Sequence, residues 1–178
     1  MRKIVLTFGL IAGAILAALM VIAMLFQDQI GFDRGAIVGY TSMVLAFLMV
    51  YFGVRSYRDT VGGGRIGFGR AFAVGLMITL VASCCYVAAW EVIYYNFMPD
   101  FGDKYAAYVV TKAKDAGETS AQLAERERQM AAFKAMYSNP LVNISYTLLE
   151  PLPVGLLFTL VSAGVLSRKK RREDGATA

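Results

Sequence analysis

The chain has 178 residues, of which 57% are hydrophobic, with 18 Lys and Arg against 13 Asp and Glu and no histidine. Soluble domains carry roughly 45–50% apolar residues, so this excess calls for a solvent other than water. The missing histidine removes the commonest metal ligand and general base. The net charge of +5 lies in short clusters between long uncharged runs, a distribution unlike that of a nucleic-acid-binding surface, and no nucleic-acid partner is expected.

Residues 4–26 carry no charge. Crossing a hydrocarbon core of roughly 30 Å takes about 20 apolar residues in a helix, so this stretch is long enough to span. It follows Met1-Arg2-Lys3 and could pass for a secretory signal, but it is longer than the apolar part of one. Gln27-Asp28-Gln29 is also a poor cleavage site, so a retained span is expected. Gly9, Gly13 and Ala17 form a row of small residues four apart, which permits close helix approach. Packing within the chain is the first expectation for this row, and a homo-oligomer contact through Gly9 and Gly13 the second.

A second uncharged span covers 35–54. The loop that follows holds Arg55, Arg58, Arg65 and Arg70, which are candidate contacts to lipid headgroups. Within it, Gly62-Gly63-Gly64-Arg65-Ile66-Gly67 spells the dinucleotide-binding pattern. That pattern requires a preceding strand and a βαβ unit, and here it lies between two spans, so a turn is expected instead. The third span, 71–98, contains Glu91 as its only charge, together with the adjacent Cys84 and Cys85, read as buried small hydrophobes.

Residues 100–139 are the one sizeable stretch outside the spans and read as a helical hairpin on the extracytoplasmic side. The first arm ends at Gly117, and Thr119 opens a capping box with Gln122. Leu123, Met130, Phe133 and Tyr137 fall on one face of the second arm. That face is expected to pack on the first arm or the membrane surface, with docking of a partner protein as the sharper reading. The fourth span, 141–166, contains only Glu150 as a charge, and 169–178 form a basic cytoplasmic tail. The continuous apolar character of all four runs favours helices over barrel strands, which would alternate. The fold class is therefore an all-α membrane protein with four transmembrane helices.

Lys and Arg placement fixes the expected orientation. With the N-terminus inside, Arg2, Lys3, Arg55, Arg58, Arg65, Arg70 and the run from Arg168 to Arg172 face the cytoplasm, eleven in all. Arg34, Lys104, Lys112, Lys114, Arg126, Arg128 and Lys134 make seven on the other side, six of them in a loop that also holds six acids. Both termini are expected inside, in the inner membrane of a bacterium.

Acidic groups inside a bilayer are costly and usually face protein or water. Glu91 precedes Met98 by seven residues and Glu150 follows Pro140 by ten, which puts them about 10 and 15 Å from the same surface. Tyr40, Ser42, Tyr94 and Tyr146 fall near that depth, and Arg34 is the nearest cation able to reach inward. Pro151 and Pro153 leave helix carbonyls unpaired beside Glu150, as in broken transporter helices. Glu91 and Glu150 are thus expected either to share a proton, a cation or a small polar ligand, or to act as hydrogen-bonded glue between helices. The second is the plainer reading.

Over nearly its whole length the chain resembles the bacterial membrane family known as domain of unknown function 4199. The likeness rests on Gly39-Tyr40-Thr41-Ser42-Met43, on Arg55-Ser56-Tyr57-Arg58-Asp59, and on Phe68-Gly69-Arg70-Ala71-Phe72 after the glycine loop. Glu150-Pro151 with Pro153-Val154-Gly155 completes it. The resemblance implies a small four-span protein of the bacterial cytoplasmic membrane and brings no activity or catalytic residues.

No enzyme and no cofactor are expected, since without histidine there is no zinc motif and no Ser-His or Cys-His pair. A non-enzymatic accessory protein that binds a partner through the outer hairpin is the leading expectation. The alternative is a small proton- or cation-coupled carrier or sensor, oligomeric if it transports, that uses the Glu91/Glu150 cluster. Membrane lipids are partners in either case.

Overall fold

A computed structural model describes residues 1–168, and every regular element among them is an α-helix. In chain order they are α1 (Arg2–Leu25), α2 (Gln27–Thr60), α3 (Phe68–Asn96), α4 (Phe101–Asp115), α5 (Ser120–Tyr137), α6 (Pro140–Leu149) and α7 (Pro151–Leu166). Four stretches are long and apolar enough to cross a membrane: Arg2–Leu25, Gln27–Thr60, Phe68–Asn96 and Pro140–Leu166. Residues 169–178, the predicted basic tail, lie outside the described residues.

The large apolar side chains on the outside agree with a lipid solvent. Leu25 and Leu141 are each 75% exposed and Ile37 is 68% exposed, which water would penalise and lipid tails would not. In lipid, apolar burial does not by itself bring helices together, because the tails are as apolar as leucine. Close fit and interhelical hydrogen bonds do that work. The bundle of α1, α2, α3 and α7 shows both. Leu16, Phe47, Val50, Val74 and Ile78 are almost wholly buried at its centre. The small-residue row of α1 faces α3 of the same chain: a Cβ on Gly9 would lie 2.7 Å from the Val81 side chain, and one on Gly13 would lie 2.5 Å from Cβ of Cys85. That row therefore serves packing within one chain. Between α3 and α7, the buried Thr79 hydroxyl lies 3.1 Å from that of Thr159 and donates to the Gly155 carbonyl at 3.2 Å.

Two sequence expectations change. The stretch between the first two spans is not a loop, since Phe26 alone separates α1 from α2. The polar residues Gln27, Asp28, Asp33 and Arg34 end the apolar run but lie inside α2. The only interruption inside α2 is Gly31, at φ 71° and ψ 165°, a backbone that glycine adopts without steric cost. The cysteines also differ: Cys85 is half-buried against the Gly13 position, but Cys84 is exposed on the outside of the bundle. As the prolines implied, the fourth span is two helices. Pro151 has no N–H to continue the ladder of α6, and α7 starts at that proline.

The glycine run is a tight turn. Gly63 and Gly64 have positive φ, and a Cβ on Gly62 would sit 2.2 Å from the Arg65 carbonyl oxygen. No strand precedes it among the described residues, so no dinucleotide site forms there. Beyond α3, α4 packs beside α5. Gly117 turns the chain at φ 80°, and Thr119 and Gln122 form the capping box that starts α5. Lys134 of α5 pairs with Asp103 of α4.

Candidate functional site

The bundle is dense at the end that holds the glycine turn and opens towards the end that holds α4 and α5. There a cavity of about 650 Å3 lies between α1 and α2 on one side and α3 and α6 on the other. Its wall is aromatic. Phe32 and Tyr40 come from α2, Tyr86 and Trp90 from α3, Phe101, Tyr105 and Tyr108 from α4, Phe133 and Tyr137 from α5, and Tyr146 from α6. Apart from Tyr40 and Tyr86, these rings are in mutual contact. Phe32 packs on Tyr108 with centroids 5.0 Å apart, Trp90 on Phe101 at 5.0 Å, Phe133 on Tyr137 at 5.2 Å, and Tyr146 on Phe133 at 6.1 Å. Edge-on and offset pairs of this kind favour one arrangement of each ring over others.

Trp90 is the keystone of the wall and the only tryptophan in the chain. Its indole N–H donates both to the Tyr137 hydroxyl at 3.0 Å and to Oδ1 of Asn143 at 3.1 Å, so it ties α3 to α5 and α6 at once. Asn143 is fully buried and also accepts from Thr147, one turn on, at 3.2 Å. The Asn143-Ile144-Ser145 sequon is therefore closed to modification. Burial pushes the Tyr137 phenol up, which keeps it a neutral hydroxyl able to accept from Trp90.

At the α6–α7 break, Glu150 lines the cavity and accepts a 2.7 Å hydrogen bond from the Tyr86 hydroxyl. At the opposite rim, Asp33 also lines the cavity, but it is held by Lys112 and by Tyr108, which donates at 2.6 Å. Its hydrogen bond to Asp33, followed by that to Tyr108, raises the Lys112 ammonium above the usual lysine range. No Lys or Arg is among the cavity-lining residues.

Of the predicted site residues, the structure brings Tyr40, Ser42, Tyr146 and Glu150 into this one cavity. Ser42 donates to the Val38 carbonyl of its own helix at 2.8 Å, so its proton faces the backbone. Tyr94 stands behind the wall, with its ring 5.9 Å from Trp90 and 5.7 Å from Tyr137. Arg34 is exposed and does not line the cavity. Glu91 does not join Glu150 there. It is half-buried, with one carboxylate oxygen enclosed and without a hydrogen-bond partner among the described residues. Among the four candidate headgroup contacts, Arg55 and Arg58 share Asp59 at 3.7 and 2.7 Å, while Arg65 and Arg70 are exposed beside the glycine turn.

Sequence reasoning missed Tyr86, Trp90 and the rings of α4, and a signal for them existed. Tyr86, Trp90 and Tyr94 recur every four residues, Phe101, Tyr105 and Tyr108 follow the same helical spacing, and so do Phe133 and Tyr137.

A profile of the family described as protein of unknown function, DUF4199, matches residues 7–168. The chain belongs to that family. No curated protein and no solved structure matches it. The matched stretch of this DUF4199 protein takes in all the cavity-lining residues, from Leu16 to Glu150. The family's description carries no activity.

Proposed function

We propose that this chain is a four-span protein of the bacterial cytoplasmic membrane, with both termini on the cytoplasmic side, that binds a small hydrophobic ligand in the aromatic cavity. It acts as a carrier or sensor and not as an enzyme. The observation that carries this reading is the cavity itself: a space of about 650 Å3 walled by aromatic rings with a few convergent polar groups. Ligand sites are typically clefts of about 300–1,000 Å3 with that make-up. The orientation is supported by the eleven Lys and Arg that it assigns to the cytoplasm, against seven on the other side. The non-enzymatic reading is supported by the absence of histidine from the sequence. Docking of a partner on the apolar face of α5 has less support, because Phe133 and Tyr137 turn into the cavity.

The test uses Trp90 as a built-in reporter. The protein in lipid nanodiscs is titrated with the neutral fluorophore N-phenyl-1-naphthylamine, and energy transfer from Trp90 is followed. Gly39 lines the cavity, and a Cβ on it meets nothing within 4 Å, so Gly39→Phe is the variant chosen to occupy the space. Saturable transfer in the wild type that is lost in Gly39→Phe is the expected result. Transfer that rises without saturation and is equal in the two proteins would overturn the reading.

A further inference from the structure

Resting on the reading of the cavity as a ligand site, we infer that its ligand is an amphipathic organic cation, with its charge against Glu150 and its apolar body among the rings.

The charges that line the space are two carboxylates and no cation. They are not equivalent. Asp33 is already paired with Lys112. Glu150 receives one hydrogen bond, from Tyr86, and forms no ion pair among the described residues. A carboxylate offers about four acceptor positions, so most of those on Glu150 remain open. Glu150 is exposed, and no Lys or Arg among the described residues lines the space to pair with it. An anionic ligand would add to the imbalance, and a neutral one would leave it.

The surroundings decide what kind of cation completes it. No group of three or more His, Cys, Asp or Glu able to hold a metal ion forms among the described residues. A bare ion would in any case leave the ring-lined volume unused. Aromatic faces attract organic cations through the ring quadrupole, and tyrosine and tryptophan are the rings that do so best. Tyr40, Tyr86, Trp90 and Tyr146 lie on three different helices around the same space as Glu150. Tyr40 and Tyr146 are 53% and 47% exposed, so their rings are free to meet a guest. A lipid amine such as that of phosphatidylethanolamine fits less well, because its phosphate would sit beside carboxylates. The ligand is therefore a free amphiphile that enters from the membrane.

The experiment compares tetraphenylphosphonium with neutral triphenylphosphine oxide, both read by Trp90 emission in phosphatidylcholine nanodiscs. The expected result is saturable binding of the phosphonium that weakens at least about tenfold in Glu150→Gln, with binding of the oxide unchanged. Gln can still accept from Tyr86, so this variant keeps the helix contact. Tyr40→Leu is a second variant, at a position whose hydroxyl makes no hydrogen bond among the described residues. It should weaken the phosphonium several-fold and the oxide little. If both probes bind saturably, with equal strength and insensitive to Glu150→Gln, the cavity is a ligand site but the cation inference is wrong. If neither binds saturably and Gly39→Phe changes nothing, the cavity reading itself fails. If phosphonium binding vanishes when phosphatidylethanolamine replaces the host lipid, the cavity takes a headgroup and the inference is overturned.

Discussion

Tyr86 donates its phenolic hydrogen to Glu150 across 2.7 Å, joining the middle of α3 to the break between α6 and α7. This bond holds the only acidic group of the last span to the third. In lipid such contacts contribute about 0.6–2 kcal/mol, less than their vacuum strength, because the unfolded chain in the membrane also finds partners. Tyr86→Phe should therefore lower stability by about 1 kcal/mol in a detergent-unfolding titration. In a double-mutant cycle with Glu150→Leu, the two losses should not add. Additive losses would mean that the bond contributes nothing.

Trp90→Phe should cost more, about 2 kcal/mol. It removes the N–H that Tyr137 and the fully buried Asn143 both accept, and Asn143 would keep only the Thr147 hydrogen bond. Thermal unfolding in detergent measures the loss, and α4 and α5 should become more sensitive to protease. A variant as stable as the wild type would show that the indole only fills space.

Two glycines should respond differently to alanine. At Gly13 the added carbon would press on Cys85, so Gly13→Ala should destabilise by about 1–3 kcal/mol as α1 and α3 part. At Gly39 a Cβ meets nothing, and alanine has the better helix propensity, so Gly39→Ala should be neutral or stabilise by up to about 1 kcal/mol. Both are read by the same unfolding titration. A Gly13→Ala protein of wild-type stability would contradict the α1–α3 contact.

The pair between Asp33 and Lys112 anchors α4 to the start of α2, and its pH dependence has a definite sign. The Lys112 ammonium is raised above its ordinary value, so its contribution is complete below the unfolded lysine value of about 10.4 and fades as pH climbs through the folded one. Because Phe101 of α4 packs on Trp90, release of α4 should shift Trp90 emission to the red. The emission maximum should hold steady from about pH 6 to 9 and move only above about 10.4. In Lys112→Met it should be red-shifted already at neutral pH. A wild-type maximum that drifts between pH 6 and 9 would place the control elsewhere.

The spans were legible because a hydrocarbon core of roughly 30 Å imposes a minimum length on any apolar helix. Their ends were less so, because hydropathy stops at Gln27 while the backbone of α2 continues through it. Glu150 could be found as a charge inside an apolar run, and its depth followed from the helical rise. Glu91 does not line the cavity beside Glu150, because depth is only one coordinate. Each residue also turns the helix by about 100°, so when Trp90 faces the cavity its neighbour Glu91 faces elsewhere. The pairing of Asp33 with Lys112 was out of reach, because it joins residues 79 apart that no periodicity relates.

The side chains most deeply enclosed in α2, α3 and α7, such as Phe47, Val50, Ile78 and Thr159, lie below the cavity towards the glycine turn. The space is thus a cup with a closed base and not a tunnel. On the reading proposed above, a guest leaves by the side it entered, because α3 and α7 fit closely against one another at Gly155 and Thr79 beneath the space.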